Sequence, residues 1–446
     1  MKVGHRQTNP QYTTPHAHIR AWGVVLYSCR TPRTPQVRTW RQGAPSGTIQ
    51  SCTEFPGIAM KFDLIIVGGG LAGAALAVAL RRSALRIAVI EHAVPRRPEG
   101  WDARVYAYSP VSARFLDQLG VWTHLDHQRL AEVVEMRIHG DAGGELVFSA
   151  YDSGLEELAW IGESSLVHVE IWESLKRQHN VTLFCPAAPE ALEIDEDVAT
   201  LRLGDGRSLK AALVVGADGR DSWVRERAGI AATITPYGER GVVANFVCER
   251  PSRGVAYQWF RADGVLAWLP LPGRHMSMVW SAPDAFADEL LGLEVEAFCA
   301  RVEGAGGRAL GKLELAGQRA AFPLRLMRVE ETVRPRVALI GDAAHAIHPL
   351  SGHGINLGFQ DAKALAEVLD ALPSWQDAGD LSVLRRYARM RAEEPFLLQY
   401  TTHALSRLFG RQDSLSATLR NLGMNLTGRV PVLKNALVRY AANGRF

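Results

Sequence analysis

A chain of 446 residues, 47% hydrophobic and 22% charged, is long enough for about three domains of roughly 150 residues with a large buried core. A formal net charge of only +3 argues against a nucleic-acid partner, and five cysteines without C-x-x-C or metal-ligand spacing fit a reducing compartment. No apolar run approaches the ~20 residues that cross a bilayer, which leaves a soluble or peripheral protein.

Residues 1–59 stand apart. They carry seven Lys or Arg, one acid (Glu54) and six prolines, whereas the rest holds 43 basic and 46 acidic residues. This composition predicts a disordered extension. Two readings stay open: an Arg-rich transit peptide, interrupted at Pro10 and Pro15, or upstream sequence ahead of a start at Met60. The second is favoured. A signal peptide fits worst, because Trp22–Cys29 is short and far from the terminus.

From Phe62 the pattern changes. Phe62–Val67 is a near-continuous apolar run, the mark of a strand buried on both faces of a parallel sheet. It leads into Gly68, Gly70 and Gly73, spaced as G-x-G-x-x-G, and then into Ala74–Leu80, small and apolar enough for a helix packed closely on that strand. A second strand, Ile87–Ile90, ends in Glu91, placed to accept from the hydroxyls of an adenosine ribose. A tight turn without a ligand would need three glycines and an acid at these spacings by chance.

A third strand, Leu213–Val215, ends in Gly216-Ala217-Asp218-Gly219 ahead of the helix-like Trp223–Arg227. Between Arg220 and Pro335 the pattern turns antiparallel. Val255–Phe260, Val265–Leu271 and Met276–Ser281 read as a meander with turns at Asp263-Gly264 and Pro272-Gly273. Tyr257, Trp259, Phe260, Trp268 and Trp280 either line a pocket for a flat apolar substrate or fill an ordinary core. Asp284–Glu303 reads as one helix, and Gly304–Ala309, which mimics a dinucleotide motif, follows a helix and is read as its cap.

The densest block comes late. The strand Val337–Ile340 runs into Gly341-Asp342, then His345, His348, Pro349, Gly352, His353, Gly354, Ile355 and Asn356, before a helix beginning near Phe359. Glycines let the backbone approach a polyanion, and a helix start presents unpaired N–H groups. Asp342 belongs at an anion site only if it accepts hydrogen bonds from ligand hydroxyls. A nucleotide carrying a polyol supplies them, and FAD fits. The three histidines lack carboxylate support and read as loop residues lining the flavin site, so no metal is expected. No Ser-His-Asp grouping occupies a nucleophile elbow.

Farther on, Leu415, Leu419, Leu422, Leu426, Leu433, Leu437 and Tyr440 repeat at helical spacing with Arg420, Arg429, Lys434 and Arg439 among them. A basic amphipathic helix over 415–442 can lie on an anionic membrane, or pack on the enzyme or a second subunit.

Together the three strand-end blocks resemble the single-component FAD-dependent aromatic hydroxylases (class A flavoprotein monooxygenases) from Met60 to roughly Leu405. The family's D-G with a following serine falls on Asp218, Gly219 and Ser222. Its G-D…P…G-x-G-x-N falls on Gly341, Asp342, Pro349, Gly352, Gly354 and Asn356. Within that group, Asp102–Ala107, Leu119–Trp122, Leu158–Ile161, Val255–Gln258 and Leu269–Leu271 are most similar to the ubiquinone-biosynthesis hydroxylases.

The resemblance implies an α/β, p-hydroxybenzoate hydroxylase-like fold. Its Rossmann-like FAD-binding domain (60–130, 159–230 and 334–372) is interrupted by a mixed, largely antiparallel substrate domain (131–158 and 231–333), with a C-terminal helical region at 373–446. It implies tightly bound FAD, NAD(P)H as a transient reductant and O2 as co-substrate. Arg104 would lie beside the flavin and its phosphates, Pro349 near the isoalloxazine, and Gly352, Gly354, Ile355 and Asn356 around its pyrimidine edge. Nicotinamide would visit near Asp218. His168 and His353 stand where the family often has Gln; each can donate one hydrogen bond, but its charge can respond to pH. The cofactor carries the chemistry, so Pro349, Gly352 and His353 are flavin-proximal and no residue is needed as acid or base.

The implied reaction hydroxylates the ring of a polyprenylated phenol on the way to ubiquinone, through a flavin C4a-hydroperoxide. Two alternatives remain: a hydroxylase of a small soluble aromatic or secondary metabolite, and a non-catalytic FAD-containing member of a quinone-synthesis complex. The expected location is the cytoplasm, with peripheral contact on the inner face of the membrane and complex partners left open.

Overall fold

A computed structural model describes residues 59–141, 143–346 and 354–392. The run after Phe62 forms β1 (Leu64–Val67), whose four residues are all buried, as an interior parallel strand requires. Helix α1 (Leu71–Ala79) packs on it through Gly73, Ala74, Ala75 and Ala77, and β2 (Ile87–Ile90) completes the crossover. β3 (Val105–Tyr108) joins Ala131–Val133 and Ala159–Glu163 in a three-stranded sheet, and α2 (Ser164–Lys176) follows.

β4 (Leu213–Gly216) lies beside β1, and the short helix α3 (Trp223–Arg227) follows it. Pro189–Ile194, Ala199–Leu203 and Ser208–Ala211 form a small meander that pairs with Met60–Lys61 in a four-stranded sheet. Sequence periodicity did not single out this meander, because its strands are short and only weakly alternating.

β5 (Ala232–Cys248) is a 17-residue strand. Its register shifts between Pro236 and Glu239, where Gly238 has a φ of 68°. β6 (Val255–Arg261), β7 (Gly264–Pro270) and β8 (His275–Pro283) form the expected meander, in register with one another and with β5. The helix expected over Asp284–Glu303 is two helices, α4 (Asp284–Gly292) and α5 (Val295–Ala305). They part where Leu293 turns extended and packs on the core cluster under the helices. Gly304–Ala309 does close α5: Arg308 donates to the Glu303 carbonyl at 2.8 Å, and a Cβ on Gly306 would sit 2.2 Å from the Trp268 ring.

Strand alternation divides the aromatics of this sheet. Trp268 and Trp280 are buried in the cluster under α4 and α5, with Tyr257 and Trp259 packed against it. They are core, not pocket lining. Phe260 lies on the opposite face, the one that carries Asn245, Gln258 and Ser277. On that face Ala256, Leu269 and Leu271 cluster with Val105, Ala107 and Ile161 of the three-stranded sheet.

β9 (Ala320–Val329) returns beside β5, and β10 (Val337–Leu339) re-enters the first sheet next to β4. That six-stranded sheet is parallel except for its edge, Val333–Arg334. α6 (Gly354–Asp370) and α7 (Leu381–Arg391) complete the described chain, and α1, α2, α6 and α7 share one apolar cluster over the sheet. α6 starts about a turn earlier than expected, so Gly354, Ile355 and Asn356 form its first turn rather than a loop. A glycine at a helix start carries little of its interior penalty.

Candidate active site

Two glycines of the first block are dictated by contact. Gly68 has a φ of 101° and a Cβ there would lie 2.3 Å from the Ala217 carbonyl oxygen. A Cβ on Gly73 would lie 2.0 Å from the Gly68 oxygen. Gly70 is different, because nothing lies within 4 Å of where its Cβ would be. It begins α1, whose first turn has neither a side-chain cap nor an acid. Those amides and that open space suit an anionic group brought close to the backbone.

Glu91 and His168 clasp the turn from two sides. The Gly69 amide donates to Glu91 Oε2 at 2.7 Å, and His92 N donates to Oε1 at 2.8 Å. His168 Nε2 lies 2.7 Å from the Gly69 carbonyl oxygen. A carbonyl only accepts, so Nε2 carries the proton.

In the middle block Asp218 serves the chain. Ser222 Oγ donates to its Oδ1 at 2.5 Å and Val224 N to its Oδ2 at 3.0 Å, which caps α3. Burial raises the Asp218 pKa, with those hydrogen bonds opposing it. Gly219, at a φ of 86°, faces open space. Arg225, which the sequence did not single out, donates from α3 to the carbonyls of Ala343 and Arg220, both at 3.0 Å. It ties the middle block to the late one. An arginine inside a five-residue helix carries no periodic signal that would have marked it.

In the late block Gly341 takes a φ of 59° and packs against Ala72 and Gly358. Asp342 follows it, exposed between buried neighbours and without a partner among the described residues. Arg104 is exposed too; Asp102 Oδ1 accepts from its amide at 2.9 Å, and Ser164 N donates to its carbonyl at 2.9 Å. Behind it Glu163 accepts from Asp102 N at 2.6 Å and holds Arg129 through two bonds, at 2.6 and 2.8 Å. Asn245 Nδ2 donates to the Asp102 carbonyl at 2.9 Å, joining the large sheet to this segment.

Tyr106, also not singled out by the sequence, sits where these groups meet. Burial raises its pKa; Arg104 lowers it, Asp342 raises it and Arg220 lowers it.

The late motif departs from expectation at two residues. The Asn356 side chain is committed to protein: its Oδ1 accepts from Ser109 N at 2.9 Å and its Nδ2 donates to the Ala107 carbonyl at 2.8 Å. His345 is no loop histidine; it is buried, with Nε2 2.6 Å from Asp361 Oδ2. Gly354 faces open space and Ile355 packs on the main apolar cluster. His348, Pro349, Gly352 and His353 lie outside the described residues. Among the described residues no cluster of metal-ligating side chains occurs, and no helix is long and apolar enough to cross a membrane.

A parallel sheet whose strand ends carry a glycine turn and three acids, set against a large, mostly antiparallel sheet, is the p-hydroxybenzoate hydroxylase-like class of FAD-dependent monooxygenase. Residues 61–395 match the FAD binding domain family. Ubiquinone hydroxylase UbiL of Rhodospirillum rubrum is 35% identical over 384 residues, covering 85% of this chain and 89% of that protein. The 3-demethoxyubiquinol 3-hydroxylase of Escherichia coli is 32% identical over 383 residues, covering 85% and 98%. Among solved structures, a mutant of PqsL from P. aeruginosa has a TM-score of 0.69 at 26% identity, covering 82% of this chain and 99% of that one. p-Nitrophenol 4-monooxygenase PnpA of Pseudomonas putida has a TM-score of 0.72 at 20% identity over 87% and 100%, a likeness of fold. The chain belongs to the FAD-dependent aromatic hydroxylases, and within them to the ubiquinone-biosynthesis hydroxylases.

Proposed function

We propose that this enzyme uses NAD(P)H and O2 to hydroxylate the aromatic ring of a polyprenylated phenol during ubiquinone biosynthesis. The observation that carries the reading is the free Asp342 carboxylate beyond an uncapped, open α1 start, in a chain 35% and 32% identical to hydroxylases of that pathway.

FAD fits these residues. The α1 amides beside Gly70 would take the pyrophosphate, Glu91 the adenosine ribose, Asp342 the ribityl hydroxyls, and the α6 amides at Gly354–Asn356 the edge of the ring. Arg104 and Arg220, flanking Tyr106, would add positive charge beside the phosphates. When bound, FAD supplies the hydride acceptance and oxygen activation that side chains cannot. The protein's share is to hold, orient and keep the site dry. The face of the large sheet bearing Asn245, Gln258 and Ser277 is the proposed substrate side, since the opposite face is filled by α4 and α5. Asp218, engaged in capping α3, would act on a visiting nicotinamide only by shaping its turn.

The same reading keeps the division proposed from sequence, a discontinuous FAD-binding domain interrupted by a substrate domain. Contact with the membrane or with partners of a quinone-synthesis complex rests on the pattern over 415–442, which lies outside the described residues. Strains each lacking one ring hydroxylase, given this gene and profiled for quinones, test the assignment. Rescue of one strain is expected. Rescue of none, with no quinone precursor consumed, redirects it to a small soluble aromatic.

A further inference from the structure

One buried carboxylate beneath the cofactor turn has no part in the chemistry above. Asp361 lies on the face of α6 that carries Gly354 and Gly358, at i, i+4 and i+7 spacing. Its side chain is 2% exposed. The groups that reach it, from Gly341, His345 and Arg391, all lie outside α6. Its Oδ2 accepts from the Gly341 amide at 2.9 Å and faces His345 Nε2 at 2.6 Å; its Oδ1 accepts from Arg391 Nε at 2.7 Å. Arg391 also donates to Gln360 Oε1 at 3.0 Å, and Tyr387, one turn earlier on α7, donates to the Leu339 carbonyl at 2.8 Å.

Among the described residues, the backbone group that the Asp361 carboxylate holds is the amide of Gly341. The left-handed φ of that glycine sets the direction in which Asp342 leaves the strand. A shorter or neutral side chain at 361 would release the turn without touching Asp342 itself.

We propose that Asp361 is a positioning residue for cofactor binding: it fixes the Gly341 turn so that Asp342 is presented to the cofactor's polyol, with Arg391 as its counter-charge and His345 as its second brace. The inference rests on the reading of Asp342 as the polyol acceptor. Asparagine at 361 would turn an N–H₂ toward one of the donors and take away the carboxylate that faces the buried Arg391 cation. The double variant Asp361→Asn/Arg391→Gln removes both charges together and keeps a polar hydrogen-bonding group at each position.

Apoprotein titrated with FAD and followed by flavin fluorescence, at a temperature where circular dichroism shows full folding, tests this. Both Asp361→Asn and the double variant should bind FAD at least about tenfold more weakly, the loss of one charge-assisted hydrogen bond. His345→Gln keeps a donor and should stay near wild type. A cavity of about 640 Å³ opens beside Asp361, Arg391 and Tyr387. Dilute guanidinium should therefore restore FAD affinity to Arg391→Ala, where equal sodium chloride does not.

A folded double variant with wild-type affinity would overturn the proposal and reduce the cluster to a fastener for α7. If that variant does not fold, absence of guanidinium rescue in Arg391→Ala overturns it instead. Asp342→Ala is titrated alongside. If it loses FAD while the double variant keeps it, only the positioning role fails; if it binds FAD normally, the polyol reading falls and takes this inference with it.

Discussion

Three acids stand at strand ends in this chain, and the donors around each decide what it does. Glu91 accepts from the glycine turn, Asp218 from the start of α3, and Asp342 from no described residue. All three carry the same mark in the sequence, an acid after an apolar run, because their donors arrive from elsewhere in the chain. Asp342→Ala should leave the fold intact and weaken FAD binding by about a hundredfold, the loss of two charge-assisted hydrogen bonds. Near-stoichiometric flavin in the purified variant would refute the polyol role. His168 braces the Gly69 carbonyl through a donor that glutamine can replace. His168→Gln should therefore retain affinity, and His168→Ala lose about fivefold. Equal flavin titrations for the two variants would show that the brace is idle.

At the scale of elements, hydrophobic pattern located β1, β2, β4 and the β6–β8 meander, since a buried parallel strand and a half-buried antiparallel one leave distinct apolar spacings. The α4–α5 break was not legible, because Leu293 is apolar whether it continues a helix or turns into the core. Nor were the faces of the aromatics, which depend on which side α4 and α5 settle. Close packing of α1 on β1 was legible in the small residues, and the structure gives its tolerance. A methyl on Gly73 meets backbone oxygen and the Ala217 Cβ at 2.9 Å, neither of which moves cheaply. Gly73→Ala should cost about 1–3 kcal/mol in urea unfolding and lower the flavin content. An unchanged unfolding midpoint would mean that α1 shifts without strain.

For the molecule as a whole, the Asp361 cluster joins the sheet, α6 and α7, and its protonation should register in global stability. Burial disfavours the His345 imidazolium, but the Asp361 carboxylate outweighs that and raises its pKa; Arg391 opposes and Asp342 adds to the rise. Burial also disfavours the Asp361 carboxylate, and His345 and Arg391 outweigh it, lowering its pKa. The nearby Tyr387 hydroxyl stays neutral, its pKa pushed up by burial first and by Asp361. A raised histidine stabilises in full below its unfolded value of roughly 6.5, and that contribution is lost as pH rises through the folded value. A depressed carboxylate stabilises above its unfolded value, roughly 4, and that contribution is lost as pH falls through the folded one. A melting series should thus decline on the alkaline side in the wild type and less so in His345→Gln; parallel curves would deny the coupling. The amino-acid sequence determined the class of fold, the cofactor and the family on its own, because glycine turns and buried strands are local patterns tied to one ligand geometry. Tertiary structure alone decided which acid stays free, that Asn356 and His345 serve the scaffold, and that Arg225 and Asp361 lock the turns together. Those roles belong to pairs of residues far apart in the chain, and no local pattern encodes a partner that only folding brings near.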